Sequence, residues 1–333
     1  MAPGSGQRQD DALWEWSVFW RSDQLQSCMP AIEPGYSDPL VSTWRDFFGA
    51  LPVGARILDL GSGNGSVATQ AVVVSREASK RFSIHGVDLA EIDPSRYVTS
   101  AADLLQEITF HSRTPMENLP FADNYFDAVA SQYALEYSQI EKSLTEAMRV
   151  VRAGGSFRFL LHADDGVLKS RCQLQRQQAE TILSSSLFAR VSDVLKNVVA
   201  AERTRMPETQ KTAEESITAL KTAFDELENK FASDDNRDLV DNLFAAVRQL
   251  PALRKSYELK TLLGMVDDTG KLLLAQAKRL QAMERAALDD AATTELVERL
   301  RDMGATDVTL ERATAGEGGN CVGYWLYGEK ATG

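Results

Sequence analysis

One segment limits the folds open to this chain more than any other: Ile57-Leu58-Asp59-Leu60, then Gly61-Ser62-Gly63-Asn64-Gly65, then Ser66-Val67-Ala68. An apolar run closes on a glycine-rich turn, and residues able to open a helix follow. Glycine permits a tight turn and leaves no Cβ between the backbone and anything lying against it. A strand, glycine loop and helix near the start of an α/β domain form the usual seat of a nucleotide-like cofactor. A glycine loop alone is common, so the segments after it decide its meaning.

The next apolar run, Arg81-Phe82-Ser83-Ile84-His85-Gly86-Val87, predicts a second strand and ends on Asp88, roughly 20 residues past the loop as ribose-binding acids do. An acid at that strand tip can accept hydrogen bonds from both hydroxyls of a ribose. This suits NAD and S-adenosylmethionine equally, since both carry adenosine. The spacing favours the latter. A pyrophosphate-binding loop reads G-x-G-x-x-G, whereas this one reads Gly61-x-Gly63-x-Gly65 with Asp59 two residues ahead of the first glycine.

Two further segments carry a family resemblance. Leu119-Pro120-Phe121, Phe126-Asp127-Ala128-Val129 and Ser131 resemble the L-P-F-x-x-x-x-F-D-x-V-x-S signature of class I S-adenosylmethionine-dependent methyltransferases. Glu146-Ala147-Met148-Arg149-Val150-Val151-Arg152-Ala153-Gly154-Gly155 is similar to the helix-to-strand turn that follows it in that family. The resemblance spans about residues 51–163 and is weaker at the C-terminal end. A nicotinamide dehydrogenase has no place for the Leu119 to Ser131 segment.

The resemblance implies S-adenosylmethionine as cofactor and S-adenosylhomocysteine as product. It places Gly61, Ser62 and Gly63 against the methionine part, with Asp59 ordering the loop and meeting the ammonium group. It gives Asp88 the ribose hydroxyls and Leu89 the adenine face, with Ser131 near the methionine end. Many members carry an Asp for the adenine amino group where this chain has Pro115; the Met116 N–H and the Thr114 hydroxyl are the expected substitutes. Tyr36 is expected to reach the cofactor from an N-terminal cover, and Trp44 is a second candidate.

The expected architecture is α/β: a Rossmann-like seven-stranded, mostly parallel sheet with an antiparallel last strand, a large all-helical insertion and an N-terminal helical arm. Strands are expected at 56–61, 82–89, 108–113, 125–132 and 156–163, with helices at 67–78, 94–106 and 139–152. An antiparallel pair at 306–313 and 321–328 closes the sheet. The expected domains are an arm or lid at 1–50, a core at 51–163 and 302–333, and the insertion at 164–301. In the insertion Pro and Gly almost vanish, and Ile217, Leu220, Phe224, Leu227 and Phe231 form a heptad-like seam. Such a seam closes a local bundle or provides a homodimer interface.

The formal net charge of −12 disfavours a nucleic-acid partner, and no long uncharged apolar run predicts a membrane span. Residues 1–9 do not read as a secretory signal. Cys28, Cys172 and Cys321 lack metal-type spacing, so no metal and a cytoplasmic location are expected. Methyl transfer is an in-line displacement, for which the protein aligns the reactants and, where needed, removes a proton. His162, at the end of the fifth strand, is the candidate general base, because imidazole titrates near neutrality. Tyr133 and Glu136, just past the fourth strand, are the other catalytic candidates. A small-molecule acceptor fits best; the alternatives are a protein or peptide acceptor, or a non-catalytic scaffold.

Overall fold

A computed structural model describes residues 13–27, 37–316 and 318–332. In chain order the elements are α1 (Trp14–Phe19), α2 (Ser37–Ala50), β1 (Arg56–Leu60), α3 (Ser66–Glu77), β2 (Ser83–Val87), α4 (Pro94–Tyr97), α5 (Ala102–Leu105), β3 (Ile108–His111), β4 (Phe126–Gln132), α6 (Ile140–Val150) and β5 (Val151–Leu161). There follow α7 (Val167–Ser184), α8 (Leu187–Thr204), α9 (Pro207–Lys230), α10 (Asp238–Gln249), α11 (Leu259–Ala286), α12 (Asp290–Asp302), β6 (Ala305–Ala315) and β7 (Asn320–Lys330). The described residues as far as Ser170 and from Ala282 onward form one compact unit, and Arg171–Gln281 form a second.

The first unit is built on one seven-stranded sheet in the order β3-β2-β1-β4-β5-β7-β6. Strands β1 to β5 pair in parallel, and β7 runs antiparallel to both β5 and β6. The expected mostly parallel sheet with an antiparallel last strand is borne out. Central strands covered on both faces read as nearly unbroken apolar runs, which explains Ile57, Leu58 and Leu60 in β1 and Val129 and Ala130 in β4. On one face Trp44 and Phe48 of α2 pack with Ala68 and Val72 of α3. On the other, Leu144 and Met148 of α6 pack with Leu296 and Leu300 of α12.

Two boundaries differ from expectation. The single helix expected at 94–106 is split into α4 and α5, because Val98 is extended and Asp23 takes the Thr99 N–H at 2.9 Å and its hydroxyl at 2.6 Å. A helix continuing through Thr99 would need that N–H for itself. Strand β5 starts at Val151, directly after α6, with a register shift against β4 between Phe126 and Ala128.

In the second unit Phe224, Leu227 and Phe231 of the seam are buried against Phe244 of α10 and Val191 and Leu195 of α8. Phe224 and Phe244 meet edge to face with centroids 5.1 Å apart. The seam therefore closes a local helical core, while Ile217 at its start is 50% exposed. Among the described residues no helix is long and apolar enough to cross a membrane.

Candidate active site

The glycine loop turns where β1 ends and α3 begins, with Gly61 at φ +64° and Gly63 at φ +50°, a region costly for residues with a Cβ. Space forbids a side chain as well. A Cβ on Gly61 would overlap that of Ala134, and one on Gly63 would run into the Trp20 indole. Asn64, fully buried, fixes this contact: its Nδ2 reaches the carbonyls of Trp20 at 3.1 Å, Ser22 at 3.3 Å and Gln24 at 2.8 Å. The segment after α1 is thus tied to the loop by one side chain.

Asp88 stands at the tip of β2 beside the loop. Its Oδ2 accepts the Gly63 N–H and its Oδ1 the Ala90 N–H, each at 2.8 Å. Burial pushes its pKa up to about 6 against the pull of those two N–H groups. Asp59, in β1, accepts the Ala68 N–H at 3.2 Å. Burial, with a smaller push from the Asp88 charge, raises it to about 8. Two buried carboxyls thus face a common space in which a cation would favour their ionised forms.

That space is a cavity of about 450 Å³, a volume typical of small-molecule sites. Its walls contain four acids, Asp59, Asp88, Glu117 and Glu136, and a single basic side chain among the described residues, Arg285 near the end of α11. Of the residues anticipated from sequence, Asp59, Gly61, Ser62, Asp88, Leu89, Met116, Tyr133 and Glu136 border it. Gly63 is behind the loop surface, bonded to Asp88. Ser131 is fully buried and donates to the Leu60 carbonyl, and the Thr114 hydroxyl donates to the Ser112 carbonyl, so neither borders the cavity. Tyr36 lies outside the described residues. Trp44 acts at one remove: its Nε1–H donates at 2.7 Å to Oε1 of Gln132, which does line the cavity.

Gln132 and Ala134 fall in the stretch past the fourth strand, residues 131–137, expected to border the site, and Trp20 in the aromatic N-terminal segment expected as an arm or lid. The sequence reading missed Arg285, because nothing local distinguishes it from other helical arginines.

Beyond β4 the chain makes a turn of 3₁₀ helix at Leu135–Tyr137, which aims Glu136 inward. Its Oε1 receives both the backbone N–H of His162 at 2.8 Å and the ring Nδ1 at 2.6 Å. Both side chains are buried. Its Oε2 has no hydrogen-bond partner among the described residues. The Tyr133 ring is tilted over the imidazole with centroids 4.3 Å apart and Tyr137 meets it edge-on at 5.8 Å, while Trp16 meets Tyr137 edge-on at 5.5 Å. His162 itself does not border the cavity. The two side chains are enclosed together, that of Glu136 with no exposed surface and that of His162 with 1%.

The family described as "Methyltransferase domain" matches residues 58–159, the stretch that supplies β1 to β5, the glycine loop, Asp88 and Glu136. That stretch is similar to methyltransferase domains, as the resemblance carried by residues 119–131 implies. The dimethylglycine N-methyltransferase of Parasynechococcus marenigrum is 32% identical over 124 residues, 37% of this chain and 43% of that protein. The demethylmenaquinone methyltransferase of Renibacterium salmoninarum is 28% identical over 151 residues, 42% of this chain and 59% of that protein. A solved S-adenosylmethionine-dependent methyltransferase from Mesorhizobium loti overlaps 39% of this chain and 56% of its own, at 23% identity and a TM-score of 0.30. The chain spans about half the length of the curated relatives it matches.

Proposed function

We propose that this methyltransferase-family chain moves the methyl group of S-adenosylmethionine to a small-molecule acceptor and releases S-adenosylhomocysteine. The observation that carries the reading is the pair of buried acids, Asp59 and Asp88, set around a glycine loop at the wall of a 450 Å³ cavity. The donor set fits the cofactor. A sulfonium and an ammonium are cations, and both acids gain from one. Each Asp88 oxygen keeps a free lone pair beyond its N–H bond, as two ribose hydroxyls require. The buried Ser62 Oγ, also on the wall, has no partner among the described residues and is available to a bound polar group. The small-molecule part rests on the size of the cavity, and on two relatives whose names specify dimethylglycine and demethylmenaquinone.

When bound, S-adenosylmethionine supplies an electrophilic methyl group on a sulfonium. The chain's residues do the rest. Asp88 holds the ribose and Asp59 the ammonium, so the reactive end is fixed in place. Trp16 and Trp20, carried by α1 and its end, cover the loop side and exclude water, which strengthens every charge interaction beneath them. Glu136 is the proposed base for an acceptor proton, and His162 holds its Oε1 and so fixes the carboxyl's orientation. In this reading His162 is a positioning residue and Glu136 the base.

Calorimetric titration with S-adenosylhomocysteine is the direct test. Binding in the micromolar range is expected, and no heat from well-folded protein would overturn the proposal.

A further inference from the structure

The cavity wall carries one cation that the cofactor reading leaves unused. Ala282, Arg285 and Ala286 all line the cavity, and their spacing puts them on one face of the end of α11. That face offers two methyl groups and one guanidinium. Arg285 is exposed and has no hydrogen bond or ion pair among the described residues. Asp59, Asp88, Glu117 and Glu136 line the same cavity, yet none of them pairs with it. Its place in the fold says which ligand it meets. Leu288, two residues past α11, bridges Ala163 at the end of β5; its N–H donates to the His162 carbonyl at 2.9 Å, and its carbonyl accepts the Asp164 N–H at 2.8 Å. Arg285 thus reaches the cavity from the β5 side. Asp88 stands at the tip of β2, with β1 and β4 lying between β2 and β5. Three strand spacings, roughly 14 Å, separate the two ends. A cofactor held by Asp88 and Asp59, on β2 and β1, leaves the β5 end to the acceptor. We infer that the methyl acceptor carries a carboxylate and that Arg285 holds it.

This rests on the methyltransferase reading and narrows its substrate class. A guanidinium presents its N–H donors in a fixed fork that bonds both oxygens of a carboxylate, which sets the acceptor's orientation as well as its position. Charge decides between anions. One arginine on a wall rich in acids balances a monoanion, whereas the second charge of a phosphate meets only repulsion there. Arg285 selects and orients the acceptor; neither the methyl group nor a proton passes through it.

The test uses a pair of probes of equal shape, 4-fluorobenzoate and the neutral 4-fluorobenzamide, titrated into the protein with and without saturating S-adenosylhomocysteine. Fluorine NMR line broadening reads the binding. The benzoate should bind at least about fivefold more tightly, the upper end for an ion pair that water reaches, because the fork bonds both oxygens. Arg285→Met keeps length and helix propensity at an exposed position and should abolish that preference, while Arg285→Lys should keep part of it. Both variants should bind S-adenosylhomocysteine within about threefold of the unmodified protein. Equal binding of the two probes, binding of neither, or an unchanged preference in Arg285→Met overturns the carboxylate site. A larger drop in S-adenosylhomocysteine affinity in Arg285→Met also overturns it, because the arginine then belongs to the cofactor. Fluorophenyl phosphate should bind no more tightly than the benzoate, and tighter binding overturns the choice of a carboxylate. Failure of the unmodified protein to bind S-adenosylhomocysteine instead overturns the cofactor reading, and the probe titration without nucleoside still reads Arg285 by itself.

Discussion

The backbone N–H of Gly63 donates to Oδ2 of Asp88 at 2.8 Å, so the acid at the tip of β2 is tied to the middle of the glycine loop. One carboxyl thereby orders the loop and remains on the cavity wall. Removing it has two separable effects. Asp88→Ala leaves the Gly63 and Ala90 N–H groups without acceptors, a loss of about 1–3 kcal/mol each if water does not reach them. It also removes the proposed ribose partner. Asp88→Asn keeps one acceptor oxygen and should recover part of the stability but little of the affinity. We expect S-adenosylhomocysteine binding to weaken by at least about tenfold in both variants, read by calorimetry, with the melting temperature falling mainly in Asp88→Ala. Equal affinity in all three proteins would remove Asp88 from the site.

The buried acids give stability a definite pH dependence. Asp59 is raised from 3.8 to about 8 and Asp88 to about 6, both chiefly by burial. The folded state therefore binds more protons than the unfolded one between those limits. The contribution is full below pH 3.8 and is lost as pH climbs, through about 6 for Asp88 and about 8 for Asp59. Asp59→Asn cannot ionise, so its melting temperature should fall less than that of the unmodified protein between pH 6 and 8. A cationic ligand reverses the trend. S-adenosylmethionine should bind more tightly as pH rises over this interval, and neutral-amine analogues lacking the sulfonium charge should show a shallower rise. A flat affinity profile from pH 6 to 8 would contradict the assigned role of Asp59.

The sheet was legible because its signals are local: apolar runs such as Ile57–Leu60, glycines at obligatory turns, and acids at strand tips. Asp59, Gly61 and Asp88, which the motifs singled out, all border the cavity. Residues that owe their place to long-range packing were not so marked. Arg285 comes to the cavity from more than 120 residues beyond Leu161, and Trp20 meets Gly63 through Asn64, whose buried bonds leave no trace in composition. His162 was expected as a base from its residue type and place; its bond to Glu136 of the turn at Leu135–Tyr137, 26 residues away, is a pairing that no local pattern announces. The split between α4 and α5 was hidden for a similar reason, because Asp23 lies 76 residues from Thr99.

Gly63→Ala tests how the arm is fastened. The added methyl would overlap the Trp20 ring, and the φ of +50° is unfavourable for alanine. We expect the arm to loosen, with a red-shifted tryptophan emission and faster proteolysis between residues 13 and 27. Asn64→Ala should have the same effect without any clash, since three carbonyls lose their donor. If neither variant changes emission or cleavage, the contact does not hold the arm.

The helical unit has its own core, centred on Phe244, which is buried against Phe224. Phe244→Ala should cost about 3–5 kcal/mol of that unit's stability, as large-to-small core changes do. Ile217→Ala, at an exposed position of the same seam, should cost under about 1 kcal/mol. Urea unfolding followed by circular dichroism separates the two. A similar loss in both would mean that Ile217 is covered in solution.

His162 is best tested through what it does to Glu136. Its Nδ1 and its backbone N–H converge on one carboxyl oxygen, and only the ring contact can be removed by substitution. His162→Leu leaves the backbone bond but removes the second donor to a buried carboxyl. His162→Asn keeps a side-chain N–H donor. If His162 only fills space, the bulk of leucine should serve as well as asparagine, and the two variants should unfold at the same urea concentration. If it holds Glu136, His162→Leu should lose about 1–3 kcal/mol more than His162→Asn, because a buried carboxyl oxygen has then lost a donor. Matching stabilities would reduce His162 to packing and leave Glu136 held by the main chain alone.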